Sequence, residues 1–570
     1  MNRRGIALPV VLTYLMIFAF EIAGLTEYVS GSSKQIKTQM NQMRAFYNTE
    51  TGIEKALAEV RLSIQKTGVA PADFTNINLH KPNLYNVGGG FSNYNVSYQG
   101  ADWTNKVLTA GDYAGLNGNT RTVNIAVTGT GPGGKSQTIT QTVEIQHIPV
   151  FQFGVFYQND LEILPGGVMT FSGPVHTNGN LYVGSDGSTL HFDSKITAYG
   201  NIYHGRKDSS AAVNGAVDIN DASGVDQSMN LGGNVWLDSN HPNWLLDSQT
   251  RWGGNVSSSV HGTRSLNLPL PTGAAPHALI ERRDGSDTSQ VMSQKMDYKA
   301  HIRIIDGTVM AQNGSTIELR YCSAGGTFNA GSCPPGQTVV NPISATTFYN
   351  FREGKTIQSA DLDITKLRNS PAFIAIQGAN PLGVIIYHSD HRNDGSGTKQ
   401  AAIRMVNGSQ LPTNGLTVAT ENPAYVKGSY NTVSKQPAGI ISDAFNMLSN
   451  NWNDANSSNS NVSARTATAT TLNAAVISGN TTTTTGNYNG GFENIHRFLE
   501  NWSGVPMTFT GSVVILYNST RATGGWVYGS PYYTAPVRNW GYDTGFSNPS
   551  YNIPGFPSVY NVTKSNWDAN

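Results

Sequence analysis

The sequence predicts a mostly β protein carried on one long N-terminal helix: a transmembrane and amphipathic, pilin-like stem followed by a β-rich passenger with an irregular β-helix-like section. Three observations predict this. An uncharged apolar run extends from Ile6 to Phe20, directly behind Arg3, Arg4 and Gly5. Behind it, apolar residues recur three or four apart, the period of an amphipathic helix. Beyond residue 65 the chain is rich in Asn, Ser, Thr and glycine, the last making 61 of its 570 residues, and this favours short strands joined by tight turns over further helices.

The stem comes first. As a helix at about 1.5 Å per residue, Ile6 to Val29 is long enough to cross a hydrocarbon core of about 30 Å. Glu21 lies deep in that span, where a carboxylate is costly unless protein covers it, so it points to helix partners rather than lipid on every side. Ile36, Met40, Met43 and Tyr47, then Ile53, Leu57, Val60 and Ile64, continue the apolar face. Lys34, Lys37, Arg44, Glu50, Glu54, Lys55, Glu59 and Arg61 form the polar one. Residues 6–65 therefore read as one helix, with Pro9 and Gly24 as bend points.

Arg4-Gly5-Ile6-Ala7-Leu8 with its apolar run, followed by the stretch from Arg44 through Phe46, Tyr47 and Glu50 to Gly52 and Glu54, resembles the N-terminal region of PilX-like pilus assembly proteins, relatives of type IV pilins. The resemblance implies cleavage between Gly5 and Ile6 by a prepilin peptidase of the inner membrane, methylation of the new terminus, and assembly with other pilin-like subunits through the stem, at Glu21, Met40, Met43 and Tyr47. It also implies an extracytoplasmic passenger that reaches the pilus or cell surface. Major pilins carry glutamate at the fifth mature position; here that position is Val10. Phrases at Phe348–Glu353, Asn414–Thr420, Tyr425–Asn431, Asn473–Gly479, Arg497–Trp502 and Pro536–Asp543 are similar to those of large envelope proteins with a PilX-like stem. They imply a cellular role and no particular activity.

Composition narrows the partners. Lys plus Arg equals Asp plus Glu at 37 each, and no basic stripe of the kind that neutralises phosphates is present, which argues against nucleic acid. Cys322 and Cys333 share one Gly/Asn/Pro-rich loop. Two cysteines without a nearby histidine make a poor zinc site, whereas a disulfide suits an oxidising compartment and would stabilise the loop by about 2–3 kcal/mol at most.

Along the passenger, residues 66–150 read as a small β domain, with alternating strands at 122–127 and 137–146 around a glycine-rich hairpin. Residues 151–262 carry the most specific repeat. A Gly-Asn pair precedes an apolar residue at Asn180 and Asn201, 21 positions apart, and the spacing recurs between Asn234 and Asn255, as in the rungs of a solenoid. A proline-rich stretch at 263–275 opens a β-rich region, 263–452, that holds the disulfide loop, an Asp306-Gly307 hairpin signal and a helix over Ser442–Trp452. Residues 453–570 read as a C-terminal β-rich region with a short helix, Phe492, Ile495, Phe498, Leu499 and Trp502 lining its apolar face.

Chemistry-bearing residues are sparse. His388, Asp390, His391 and Asp394 form one dense group of ligand types and are the candidate site for a divalent cation, a polar loop being the competing reading. No separate cofactor is expected, although calcium-friendly turns occur at Asp284–Asp287 and Asp208. His176, His191 and His204 do not follow the repeat spacing. The chain has no nucleophile elbow, zinc helix or phosphate loop, and catalytic residues are not expected. The function predicted is a minor pilin-like structural or assembly subunit. The alternatives are a pilus-tip or surface adhesin binding a glycan and, more remotely, a membrane-anchored carbohydrate-active enzyme.

Overall fold

A computed structural model describes residues 7–67, 70–84, 89–109, 116–149, 151–209, 213–266, 275–329, 331–548, 551–556 and 559–569. The chain forms two compact units. One comprises Met1–Val107, Gly118–Ile148 and Val559–Asn570; the other comprises Leu108–Asn117 and Pro149–Ser558. The boundaries read from sequence at residues 262/263 and 452/453 fall inside the second unit.

In the first unit, helix α1 (Ala7–Thr67) runs unbroken through Pro9 and Gly24. It is joined by a four-stranded sheet in the order β1 (Gly90–Val107), β2 (Asn117–Thr130), β3 (Ser136–Ile148) and a last strand, Val559–Ala569. β2 and β3 pair antiparallel with Val123 opposite Val143 and Val127 opposite Ile139, as the alternation of apolar residues requires. Ile53, Leu57, Val60 and Ile64 of α1 pack on Val123, Ile125, Val127, Ile139, Val143 and Ile145. Each such side chain contributes roughly 1.5–3 kcal/mol when fully buried.

The second unit is a parallel β-solenoid, and the rung pattern extends well beyond residue 262. Its first rungs have three faces. Val155, Val175 and Ile196 stack on one, Leu161, Leu181 and Ile202 on the next, and Met169, Leu190 and Val217 on the third. All are buried. The Gly-Asn turns form a ladder: Asp160 Oδ1 accepts the Asn180 N–H at 2.8 Å, and Asn180 Oδ1 accepts the Asn201 N–H at 2.8 Å. The other two members of the repeat behave differently. Asn234 occupies a turn at φ 62°, outside the rungs, and Asn255 leads into Val256, which pairs with Ile196 on another face. Between Ile202–His204 and Val256 the chain forms an antiparallel hairpin, Ala216–Asn220 with Asp226–Ser228, and the helix Trp244–Trp252, whose two tryptophans enter the core.

The remaining rungs arrive from the opposite end. Ile302–Ile305, Val384–Ser389, Leu416–Thr420, Ala438–Ser442, Thr470–Asn480 and Pro506–Asn518 pair successively in parallel, and Val513–Ile515 then pairs with Val155–Tyr157. The chain thus enters the solenoid in its middle, winds outward to Val256, restarts at the far end and returns to the middle. A second face runs Lys355–Asp363, Lys399–Val406, Ala424–Lys427, Phe445–Leu448 and His496–Phe498, also parallel. At the far end, Asp306 and Gly307, both at positive φ, turn the chain into Thr308–Ala311, which pairs antiparallel on the edge.

Two helices expected from the sequence are rungs instead. Phe445–Leu448 is a strand, and the 491–502 segment holds one 3-10 turn, Phe492–Asn494, followed by the strand His496–Phe498. Phe445 and Met447 face one core, while Leu448 and Trp452 face another. A strand buried on both faces loses its alternation, so its period cannot be told from that of a buried helix. Residues 267–274, the centre of the proline-rich boundary, lie outside the described residues.

Candidate functional site

α1 divides into two halves of opposite character. From Ile53 onward its apolar face is the core of the first unit. Up to Tyr47, large apolar side chains stand exposed, from Leu8 at 72% to Met40 at 47%, Met43 at 55% and Tyr47 at 61%. The two groups do not share one stripe. At about 100° per residue, the set Ile36, Met40, Met43 and Tyr47 points roughly a quarter-turn away from Ile53, Leu57, Val60 and Ile64. The exposed stripe is thus a separate surface, and the first part of α1 is apolar enough and long enough to cross a membrane. Glu21 is exposed within it. Gly5 and Ile6 lie outside the described residues.

Close approach fixes how α1 sits on its sheet. A Cβ on Gly52 would stand 2.7 Å from the Phe91 ring and 2.8 Å from Val127 Cγ1, and one on Gly129 would meet the Thr49 backbone at 2.6 Å. In that space the Gly129 N–H donates to Thr49 Oγ1 at 3.0 Å, and Asn48 Nδ2 donates to the Thr130 carbonyl at 2.9 Å.

Cys322 and Cys333 are joined in a disulfide with Cα atoms 5.7 Å apart. The candidate cation ligands are not gathered round one point. His388 is buried in the strand Val384–Ser389, with Nδ1 3.0 Å from Thr420 Oγ1, and burial pushes its pKa down to about 4. Asp390 pairs with Arg392 at 2.6 Å; burial opposes its charge, but that pairing holds its pKa below the ordinary carboxylate value. His391 Nε2 meets Glu421 at 2.7 Å, and Asp394 Oδ1 accepts from Arg521 at 2.6 Å. Among the described residues no group of three or more His, Cys, Asp or Glu is placed to hold a metal ion. His176, His191 and His204 sit on three different faces of the solenoid.

His391 and Asp394 instead belong to a cleft of about 1100 Å³ on the second unit. Buried Glu421 lies on its floor, reached by His391, by Arg521 Nη2 at 3.3 Å and by Arg282 Nε at 3.4 Å. Arg282 also pairs with Asp306, whose pKa its hydrogen bond draws down to about 2. At one side His277 lies between Glu281 at 2.8 Å and Asp443 at 3.5 Å; burial opposes its protonation, but those two carboxylates raise its pKa. Sequence reasoning missed this cleft because its residues come from separate turns between residues 277 and 521, with no shared motif.

No family model matches the chain, and no curated protein matches it. Among solved structures, the competence-associated pilin ComZ from Thermus thermophilus aligns over 93% of this chain and 97% of that chain, at 12% identity and a TM-score of 0.29, a likeness too slight to identify a shared fold. The chain's own architecture stands without that likeness. It has one long N-terminal helix of membrane-spanning length and a large β passenger.

Proposed function

We propose that the protein is a minor pilin-like subunit of a type IV pilus or related envelope filament. In this reading the exposed half of α1 first anchors the chain in the inner membrane and then packs among the stems of neighbouring subunits, while the solenoid is displayed outside. A prepilin peptidase cuts between Gly5 and Ile6, and the new terminus is methylated. The observation that carries the reading is the split of α1: its second half is consumed by its own sheet, whereas the stripe of Met40, Met43 and Tyr47 stays apolar and uncovered beyond the span a bilayer needs. A solitary anchor has no use for that stripe, and a stem inside a filament buries it. A passenger of this size fits poorly at every position of a narrow fibre, so the subunit is expected at low abundance, at a tip or as an initiating subunit.

Met43→Glu tests this. The wild-type protein should co-purify with sheared filaments, and the variant should remain with the inner membrane. Equal membrane retention of both, with no filament association in either, would reject the filament role.

A further inference from the structure

The cleft on the solenoid has a chemistry of its own. Its lining includes no Phe, Tyr or Trp ring, and its one apolar side chain is that of Ala401. A peptide or lipid would find no pocket for apolar groups there, and a neutral sugar would find no such ring to stack on. The lining offers amides and hydroxyls, from Asn393, Ser396, Gln400, Asn422 and Thr520, among charged groups. Most of those charges are already paired: Arg521 with Asp394 and Glu421, Arg282 with Asp306, Lys295 with Asp287 at 2.8 Å, Arg283 with Asp297 at 3.3 Å. Lys355 and Lys399 are the exceptions, since among the described residues neither ammonium has an ion-pair or hydrogen-bond partner. They stand at the starts of adjacent parallel strands, with Thr356 in register with Lys399, about 4.8 Å from strand to strand.

Gln400, next to Lys399, is 6% exposed. Its Nε2 donates to the Arg521 carbonyl at 2.7 Å, while its buried Oε1 has no hydrogen-bond partner. A buried acceptor left unpaired costs stability, and Gln400 belongs to the lining of the cleft. Lys355, Lys399 and Asn422 come from successive rungs, so the cleft runs across the rungs and accepts an extended chain. Its volume lies just above that of small-molecule sites, which span roughly 300–1,000 Å³.

We propose that this cleft binds an acidic, carboxylate-bearing polysaccharide, with Lys355 and Lys399 meeting its carboxylates and the Gln400 and Asn393 amides meeting its hydroxyls. The proposal rests on the cleft alone and stands apart from the filament reading. The test uses the full-length protein in detergent micelles and measures its binding to immobilised polygalacturonate, dextran and polyglutamate. Polygalacturonate should bind in a salt-sensitive manner and at least tenfold more tightly than either control. The doubly substituted Lys355→Gln/Lys399→Gln protein should lose at least tenfold of that affinity while keeping the wild-type thermal unfolding profile and filament association. Failure to bind polygalacturonate, equal binding to dextran or polyglutamate, or unchanged affinity in the double variant would each overturn the assignment.

Discussion

Glu493 is buried in the solenoid, where its Oε2 accepts the Leu164 N–H at 3.2 Å and its Oε1 accepts the Tyr488 hydroxyl at 3.2 Å. Burial pushes its pKa up to about 7, more than the nearby Arg538 pulls it down. Because the folded value lies above the ordinary glutamate value of 4.5, the folded state holds this proton more tightly than the unfolded chain. The resulting stabilisation is complete below that value and is lost as pH rises through about 7. Glu493→Gln keeps the shape and removes the titration. Between pH 4.5 and 7 the wild type should lose roughly 3 kcal/mol of unfolding free energy relative to the variant, at about 1.36 kcal/mol per pH unit. Urea unfolding across that range measures it, and a pH-independent difference would count against the account. Buried His176, His388 and His496, whose pKa values burial lowers, pull stability the other way, but they are common to both proteins and cancel in the comparison. His388 also shows what single residues conceal. Its neighbours in sequence suggested a ligand group, yet strand alternation turns its ring into the protein and leaves His391 in the cleft.

At the scale of elements, α1 was legible over nearly its whole length because periodicity reports an amphipathic helix directly. Which of its apolar residues would be covered was not legible, because the covering strands include Val559–Ala569, hundreds of positions away. Gly52 marks one close approach of helix and sheet. Gly52→Val would drive methyl groups into Phe91 and Val127 and should destabilise the first unit by about 1–3 kcal/mol, the usual cost of overpacking. Thermal unfolding together with limited proteolysis of β1 and β2 would register the loss; an unchanged melting temperature would show that the sheet can recede. The strands Phe445–Leu448 and His496–Phe498 make the complementary point. Their local pattern suits a helix, and parallel pairing makes them rungs: Phe445–Leu448 has such a neighbour on each side and His496–Phe498 on one.

For the whole molecule, connectivity matters most. The second unit lies in sequence between β3 and the last strand of the first unit's sheet, and Ile148 pairs directly with Val559. The ends of that sheet are therefore already at hairpin distance without the passenger. Replacing residues 149–558 by a short Asn-Gly turn should give a membrane-anchored protein that retains the helix and the four-stranded sheet and unfolds cooperatively. Circular dichroism and thermal melting would check this, and loss of the cooperative transition would show that the sheet depends on the passenger.

The sequence by itself determined the long N-terminal helix, the β-rich passenger, the pairing of Cys322 with Cys333 and the start of the solenoid at the Gly-Asn turns, because each is written in local periodicity, composition or short-range repetition. Only the tertiary structure decided that the solenoid starts in its own middle and closes on itself where Val513–Ile515 meets Val155–Tyr157, that the stem's apolar surface divides into a covered and an open stripe, and that Lys355, Lys399, Glu421 and Arg521 share a cleft. These depend on which distant segments become neighbours. Parallel strands pair through backbone groups common to every residue, so nothing in their side chains names the partner.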